Sequence, residues 1–303
     1  MSMERRKANN MFAAFGRSFR LAKESFHVLK QDPELLLLTV ASFVSVVVIG
    51  LLVGAIGLGS GLVEFGGKEE VAIHPLGFLI LGVGYFVGYF FVIYFQVALV
   101  CAVQFRISGG DPNVWYGLIE ANHRLGAIMS WTIIAATVGL VLRVLEGAAR
   151  GRGGADFLRA MVFQILGAAW ALLVFFVIPV IAAEGTGGFS AIRRSSRVVK
   201  QRWGEAIIGN SGMGLFTGLL IAVGAGVPLA IGAMSIQGSG AGNAMLGAAL
   251  IAVGIVVGLL LMVLSASLNS TYRAVLYSYA TSGEIKGFSK ETLDNAFRSK
   301  DDR

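Results

Sequence analysis

Long tracts without a charged side chain dominate the pattern of this chain. Because a charge at the middle of a bilayer costs a few kcal/mol or more, such tracts predict membrane spans. One span needs roughly 20 residues. The last tract is long enough for two spans, joined at the Gly-Ser-Gly-Ala-Gly run of residues 238–242. The five tracts are residues 35–63, 76–105, 125–142, 160–183 and 206–272.

These tracts predict an all-α integral membrane protein with six transmembrane helices. Arg143 lengthens the short third tract, since its long side chain can reach toward the head groups. Residues 1–34 precede the spans as a cytoplasmic segment, and residues 281–303 follow them as a polar cytoplasmic tail. The predicted spans cover residues 35–63, 76–105, 125–145, 158–183, 206–236 and 243–280.

A second pattern, with apolar residues every three or four positions, precedes the first, third and fifth spans. This spacing predicts an amphipathic helix with one apolar stripe. Residues 17–23 also match residues 194–200 in sequence. We therefore predict three repeats, each an interfacial helix followed by a helical hairpin. The stripes are Phe12, Phe15, Phe19, Ala22 and Phe26; Trp115, Leu118, Asn122, Leu125 and Met129; and Phe189, Ile192, Ser196, Val199 and Trp203.

Composition supports the membrane assignment. The chain is 55% hydrophobic and 14% charged, whereas soluble domains carry about 25% charged residues. The 41 glycines suit close helix packing in lipid, and Gly50/Gly54, Gly84/Gly88 and Gly254/Gly258 are candidate small-residue contacts. The single cysteine allows no internal disulfide, and Cys and His residues show no metal-ligand spacing, so we expect no metal and no cofactor.

The distribution of basic residues predicts the orientation. If both termini lie in the cytoplasm, 20 of the 25 Lys and Arg residues are cytoplasmic, as the positive-inside rule requires. The formal charge of +7 is then explained by contact with anionic lipid of the inner leaflet. We expect no nucleic-acid partner, because the chain offers no folded basic domain with base-stacking aromatic residues.

The third amphipathic segment carries the strongest basic cluster. Arg193, Arg197 and Lys200 share one helical flank, and Arg194 and Arg202 lie nearby. Such a helix lies at the membrane interface. It either binds anionic lipid or phosphate specifically, or rests on the inner leaflet as the positive-inside rule requires.

The fourth span ends with two residues that suggest a hinge. Pro179 removes one backbone hydrogen bond and kinks a helix, and Glu184 follows at the end of the span. Together they could shape a cavity or hinge. In the alternative interpretation, Glu184 pairs with a nearby arginine at the interface and Gly185 ends the helix.

Other polar residues in the apolar tracts have two interpretations. Arg143 and Glu146 are three residues apart, so they share a helical face and form a candidate interfacial pair. The amides of Gln96 and Gln164 are candidates for lining a cavity. Such amides also bond between helices without any substrate.

One stretch resembles a known family. It contains Trp170, the run Phe-Phe-Val-Ile-Pro-Val of residues 175–180, Glu184-Gly185, Arg194-Ser195, Lys200 and Trp203-Gly-Glu205. This stretch is similar to an uncharacterised family of six-span bacterial integral membrane proteins, defined only as a domain of unknown function. The repeated plan is more distantly similar to the membrane domain of some glycerophosphodiester phosphodiesterases, whose catalytic domain has no counterpart here. The resemblance implies six spans and a bacterial inner membrane, and no activity.

The chain lacks the usual catalytic motifs, including HExxH, GxSxG and paired carboxylates. We therefore expect a non-enzymatic inner-membrane protein that binds lipids or partner membrane proteins. The alternative is a transporter or lipid carrier that uses a cavity between the repeats. An intramembrane enzyme is the least favoured class, because no set of acid, base and nucleophile can be assembled.

Overall fold

The computed structural model describes residues 29–65, 71–149, 156–203, 218–236 and 241–282. Within these residues, six helices are long and apolar enough to cross a membrane, as the sequence predicts. The first amphipathic stripe, residues 12–26, and the tail after residue 282 lie outside the described residues. The six helices are Pro33–Gly59, Pro75–Ile107, Leu125–Gly147, Met161–Glu184, Gly218–Ile236 and Asn243–Ser282.

The described chain falls into two compact units. Residues 37–202 form the first unit, and the flanking segments form the second. After a 3₁₀ turn at Pro33–Leu35, the first unit contains seven helices and a short antiparallel hairpin. Its elements are α1 (Leu36–Gly59), β1 (Val63–Phe65), β2 (Val71–Ile73), α2 (Pro75–Ile107), α3 (Val114–Asn122), α4 (Leu125–Ala149), α5 (Asp156–Leu173), α6 (Val177–Glu184) and α7 (Gly188–Trp203).

The hairpin between α1 and α2 is an addition to the predicted all-α fold. Val63 pairs with Ile73 in an antiparallel register. The His74 ring then accepts a hydrogen bond from the Leu76 N–H at 3.3 Å, and Pro75 occupies the first position of α2. Proline suits this position because its missing N–H would have no partner in the helix.

The core of the first unit surrounds the C-terminal half of α2. All seven residues from Val97 to Val103 are buried, so this part of the helix is covered on every side. Helices α3, α4 and α6 pack against α2. Gly117 of α3 makes one of these approaches possible, since a Cβ there would lie 2.7 Å from the Ala98 carbonyl oxygen.

The exposed surfaces of the spanning helices are strongly apolar. Helix α1 exposes Val47, Leu51 and Leu52, and α5 exposes Ile165 and Leu166. In a bilayer these side chains need no protein cover, because lipid chains are as apolar as they are. The backbone needs a helix there, since lipid offers no hydrogen-bond partner.

The second unit contains the last two spans, packed through glycines. The fifth span includes a π-helical turn, Ala222–Gly226, and continues as α8 (Val227–Ile236); α9 is Ala241–Ser282. A Cβ at Gly232 would lie 2.8 Å from the Gly247 carbonyl oxygen, and the reverse distance would be 2.7 Å. The two helices therefore meet backbone to backbone, which only small residues permit.

The π-helical turn has a local cause. Pro228 follows it and has no N–H to bond the carbonyl four residues earlier. A π-helical turn pairs backbone groups five residues apart in place of four, so it alters the hydrogen bonding of the carbonyls just before the proline. The predicted connection at residues 238–242 lies mostly outside the described residues, and α9 begins at Ala241.

The predicted glycine contacts were right in part. Near Gly254 a Cβ would meet Leu229 at 2.8 Å, and near Gly258 it would meet Ala225 at 3.1 Å. Gly84 lies against Val53. By contrast, Gly50, Gly54 and Gly88 have open space where a Cβ would be, which agrees with the alternative that glycine is simply common in membrane helices. Glycine at those positions serves no close contact within the described part of the chain.

Candidate functional site

The candidate site is built around the short helix α6. Helix α5 ends at Leu173, and α6 begins at Val177 after a three-residue break. Pro179 lies in the first turn of α6, so the break precedes the proline instead of centring on it. The reason is that Pro179 has no N–H for the carbonyl of Phe175, four residues earlier. The fourth span is therefore two helices.

The break leaves a backbone donor that α7 satisfies. The N–H of Phe176 donates a hydrogen bond to the Ser195 hydroxyl oxygen at 3.0 Å. Both residues are fully buried. A buried N–H without an acceptor would cost about 1–3 kcal/mol, so this bond stabilises the broken conformation. Ser195 was not predicted to have a structural role, although it belongs to the stretch that resembles the family.

The other end of α6 is also tied to α7. Glu184 and Arg194 form an ion pair, with 2.7 Å between Oε1 and Nε. Their side chains are 32% and 35% exposed, so water screens the pair. Gly185 follows with φ of 65° and its N–H donates to the Ile181 carbonyl, which ends the helix. Glycine adopts this left-handed conformation without steric cost.

The turn into α7 packs tightly against α4. A Cβ at Gly187 would overlap the Ala127 carbonyl oxygen and the Ser130 hydroxyl. This close approach fixes the start of α7 beside the first turns of α4. Gly188 adds a second positive φ, 59°, at the first residue of α7.

Helix α2 also contacts α6, through side chains that lie near its backbone carbonyls. The Gln104 side-chain amide donates to the Pro179 carbonyl at 3.3 Å. The Cys101 thiol lies 3.8 Å from the Ala182 carbonyl, within the range of a weak S–H hydrogen bond. Arg194 and Ser195 of α7 thus contact opposite ends of α6, and residues of α2 form hydrogen bonds with the backbone between them. The Gln104 amide bonds between helices, as membrane amides commonly do.

The basic cluster divides into different environments. Arg193, Arg197 and Lys200 are exposed on α7, and none of them has an ion-pair partner among the residues that the structure describes. Arg194 instead lies in the pair with Glu184. Arg202 belongs to the last turn of α7, and its side chain lies outside the described residues.

The buried face of α7 differs from the predicted stripe. Gly188, Ala191, Ser195 and Val198 are buried, whereas Phe189 is 76% exposed. The buried positions of α7 thus each precede a position of the predicted stripe by one residue, and Phe189 of the stripe faces outward. The physical reason is that small residues allow close packing on the protein, while the bulky ring can face lipid.

Helix α3 shows the same arrangement. Gly117 and Ala121 are buried, whereas Trp115 is 71% and Ile119 is 51% exposed. Trp115 of the predicted stripe therefore lies on the exposed side, where an interfacial helix presents its apolar residues. In both helices the small side chains face the protein and the largest apolar side chain faces outward.

A polar cluster beside α3 was not predicted from the sequence. Arg124 pairs with Glu120 one turn earlier and donates to its backbone carbonyl at 2.7 Å. Tyr94 of α2 donates to the Asn122 side chain at 3.0 Å. Tyr116 stacks on Phe105 at 4.4 Å, and burial, aided by the Glu120 carboxylate, raises the pKa of Tyr116. The Glu120 carboxylate, the one charged group of α3, is thus neutralised by Arg124, which lies just after the helix.

The remaining predicted residues are spread over several helices. Gln96 is half-buried on α2, and Gln164 is exposed on α5. Arg143 and Glu146 are both exposed near the end of α4. With Glu184 at the end of α6, the cavity candidates occupy three separate helices.

Six long apolar helices and their lipid-compatible surfaces define a multi-pass membrane protein. A protein-family model matches residues 75–288 of the chain. The chain belongs to this family, which is described as a family of unknown function, DUF6159. No curated protein matches the sequence.

Proposed function

We propose that this protein is a non-enzymatic, multi-pass protein of a bacterial inner membrane that binds anionic lipids of the inner leaflet. The exposed face of α7 carries the proposal. This face presents Phe189, Arg193, Arg197 and Lys200, spaced by four, four and three residues. An aromatic residue beside several cations suits a surface that is apolar just below and negatively charged above.

Charge arithmetic supports a lipid partner. Each Lys or Arg near an anionic membrane surface contributes about 1 kcal/mol of attraction. Three exposed cations without acidic partners in the described structure would therefore contribute about 3 kcal/mol at low salt. Nucleic acid is not part of the proposal, because α7 joins membrane spans and offers no base-stacking surface.

The proposed orientation places both termini in the cytoplasm. Helices α3 and α7 each follow an even-numbered span, so they lie on the same side of the membrane in this topology. The excess of Lys and Arg on that side supports the cytoplasmic assignment. This side is where anionic lipid is concentrated.

We extend the proposal to a threefold repeat. Helices α3 and α7 support it, because each precedes a pair of spans and buries small residues while exposing a large aromatic one. The first member, residues 12–26, lies outside the described residues. The distant similarity to the membrane domain of glycerophosphodiester phosphodiesterases rests on the same repeated plan, and no enzymatic role is carried over.

A transporter or lipid carrier is the second candidate. The break between α5 and α6 favours it, since discontinuous helices often frame substrate sites near the middle of a membrane. Partner membrane proteins are a further proposed class of ligand, because the exposed apolar helices offer surface for helix packing.

Native mass spectrometry of the protein in nanodiscs made from its own membrane tests the proposal. We expect several anionic lipids to remain bound, and their number to fall when Arg193, Arg197 and Lys200 are all changed to Gln. Arg194→Gln is the matched control, since that cation is already paired within the protein. Equal lipid retention in all three proteins would reject the lipid-binding role.

The same spectra separate the alternatives. One stoichiometric small molecule or lipid, lost on Glu184→Gln or Gln96→Ala and not on changes to α7, would identify a carrier. A retained polypeptide without bound anionic lipid would identify a protein-binding role in place of the lipid-binding one.

A further inference from the structure

In the part of the chain that the structure describes, helix α3 exposes apolar side chains beside charges that are paired. Trp115 and Ile119 are one helical turn apart and share its outward face. The one charged residue of α3, Glu120, pairs with Arg124. The segment before α3 is similar, because Arg106 in the last turn of α2 pairs with Asp111 at 2.7 Å. This outward face therefore differs in chemistry from the cationic face of α7.

The depth of α3 follows from its contact with α2. Gly117 approaches the carbonyl of Ala98, which lies 23 residues after Pro75, the first residue of α2. At 1.5 Å per residue, that distance is about 35 Å along the helix. The hydrocarbon core of a bilayer is about 30 Å thick. With Pro75 at the far boundary, α3 crosses α2 at the level of the near head groups.

The connections of α3 support the same depth. Six residues separate it from the end of α2, and only His123 and Arg124 separate it from α4. Helix α4 begins a span and exposes Leu125 and Met129 in its first turns. A nine-residue helix between two spans with such short connections stays close to the membrane surface.

We infer that α3 inserts Trp115 and Ile119 into the boundary between head groups and acyl chains, and that this insertion does not depend on lipid charge. Tryptophan prefers this layer because its ring is apolar and its N–H can bond to water or head groups. The protein then contacts the inner leaflet in two ways. Helix α7 binds through charge, and α3 binds through apolar burial. The inference rests on the proposed function only in placing α3 at a lipid surface.

Fluorescence quenching tests the inference on the full-length protein. The protein and its Trp115→Phe variant are placed in nanodiscs of phosphatidylcholine, alone or mixed with phosphatidylglycerol. The difference between their emission spectra isolates Trp115 from the other three tryptophans. Lipids brominated near the head-group end of the acyl chain quench a tryptophan in the boundary layer, and acrylamide quenches one in water.

We expect brominated lipid to quench Trp115 to the same degree, within about twofold, in neutral and anionic nanodiscs. Ile119→Asp should raise the acrylamide quenching of Trp115 about twofold or more, because it adds an unpaired charge to the inserted face. Unchanged thermal unfolding of Trp115→Phe shows that the difference spectrum comes from a folded protein.

Three outcomes would overturn the inference: acrylamide quenching without bromine quenching, bromine quenching in anionic nanodiscs alone, or shielding from both quenchers. The third outcome would mean that protein covers Trp115. Changing Arg193, Arg197 and Lys200 to Gln should leave Trp115 quenching unaltered. If lipid retention does not depend on these cations and Trp115 quenching is as expected, the proposed function is rejected and this inference stands. If lipid retention depends on them and Trp115 is not quenched by brominated lipid, this inference is rejected and the proposed function stands.

Discussion

The hydroxyl of Ser195 in α7 accepts a hydrogen bond from the backbone N–H of Phe176, at the break between α5 and α6. The bond links a membrane span to the helix that carries the cationic face. Arg194, which immediately precedes Ser195, forms an ion pair with Glu184 at the opposite end of α6. The position of the cationic face is therefore fixed by the same contacts that stabilise the broken span.

Removing the Ser195 hydroxyl should destabilise the fold. Ser195→Ala leaves the buried N–H of Phe176 without its acceptor, and we expect a loss of about 1–3 kcal/mol in unfolding free energy. Denaturant titration in mixed micelles, followed by circular dichroism, measures the change. Ser196→Ala is the control, because within the described residues that hydroxyl donates to the Arg193 carbonyl of its own helix. Equal stability of the two variants would show that the Phe176 bond contributes nothing.

The ion pair between Glu184 and Arg194 should contribute little to stability. Because both side chains are about one-third exposed, a double-mutant cycle with Glu184→Gln and Arg194→Gln should give a coupling of about 0.2–1 kcal/mol. The coupling should decrease as salt is raised to 1 M. A cycle of Glu184→Gln with Arg193→Gln is the control. Coupling above 2 kcal/mol, or coupling insensitive to salt, would contradict the exposed geometry.

Glycine at the crossing of α8 and α9 should be hard to replace. Gly232→Ala adds a methyl group 2.8 Å from the Gly247 carbonyl oxygen, so the helices must separate. We expect a destabilisation of about 1–3 kcal/mol from this overpacking. Gly50→Ala, where a Cβ meets open space, should be neutral or slightly stabilising, since alanine favours the helix. Thermal unfolding in detergent compares the two.

The contact between α3 and α2 makes a parallel prediction. Gly117→Ala would place a methyl group 2.7 Å from the Ala98 carbonyl oxygen and displace α3 from α2. We expect a loss of about 1–3 kcal/mol and greater access of trypsin to Arg124. Gly126→Ala has open space for its methyl group and serves as the control. A Gly117→Ala protein as stable as this control would show that α3 tolerates the displacement.

The six spans could be predicted from the sequence because the physical rule is simple. Charges are costly in hydrocarbon, so each long tract without a charged residue marks the position of a spanning helix. The third span was predicted to continue past Arg143 to residue 145, and the helix runs from Leu125 to Gly147. The start of the fifth span, residues 206–217, lies outside the described part of the chain.

Apolar spacing predicted the stripes of the interfacial helices, and it did not predict which residues pack against the protein. The spacing of large apolar residues marks the face that lipid can accept at an interface. At a membrane surface, lipid accommodates Trp115 and Phe189, and the protein instead packs against Gly117, Ala121, Ala191 and Ser195. A search for small residues at the same spacing would have found the buried faces.

The contacts around α6 also depend on information that local sequence does not contain. Pro179 indicates that a helix is interrupted, and it does not indicate which donor is left over or where its acceptor lies. Ser195 is 19 residues from Phe176, and Gln104 is 75 residues from Pro179. Only the three-dimensional packing brings such groups together.

Helix α9 has 42 residues and rises about 63 Å, roughly twice the depth of the hydrocarbon core. Its first half exposes Val256, Leu259 and Leu260, whereas Tyr272 and Ala274–Tyr277 are buried. A helix this much longer than the hydrocarbon core must tilt in the bilayer or extend beyond it. The thickness of the bilayer therefore decides how much of α9 leaves the apolar layer.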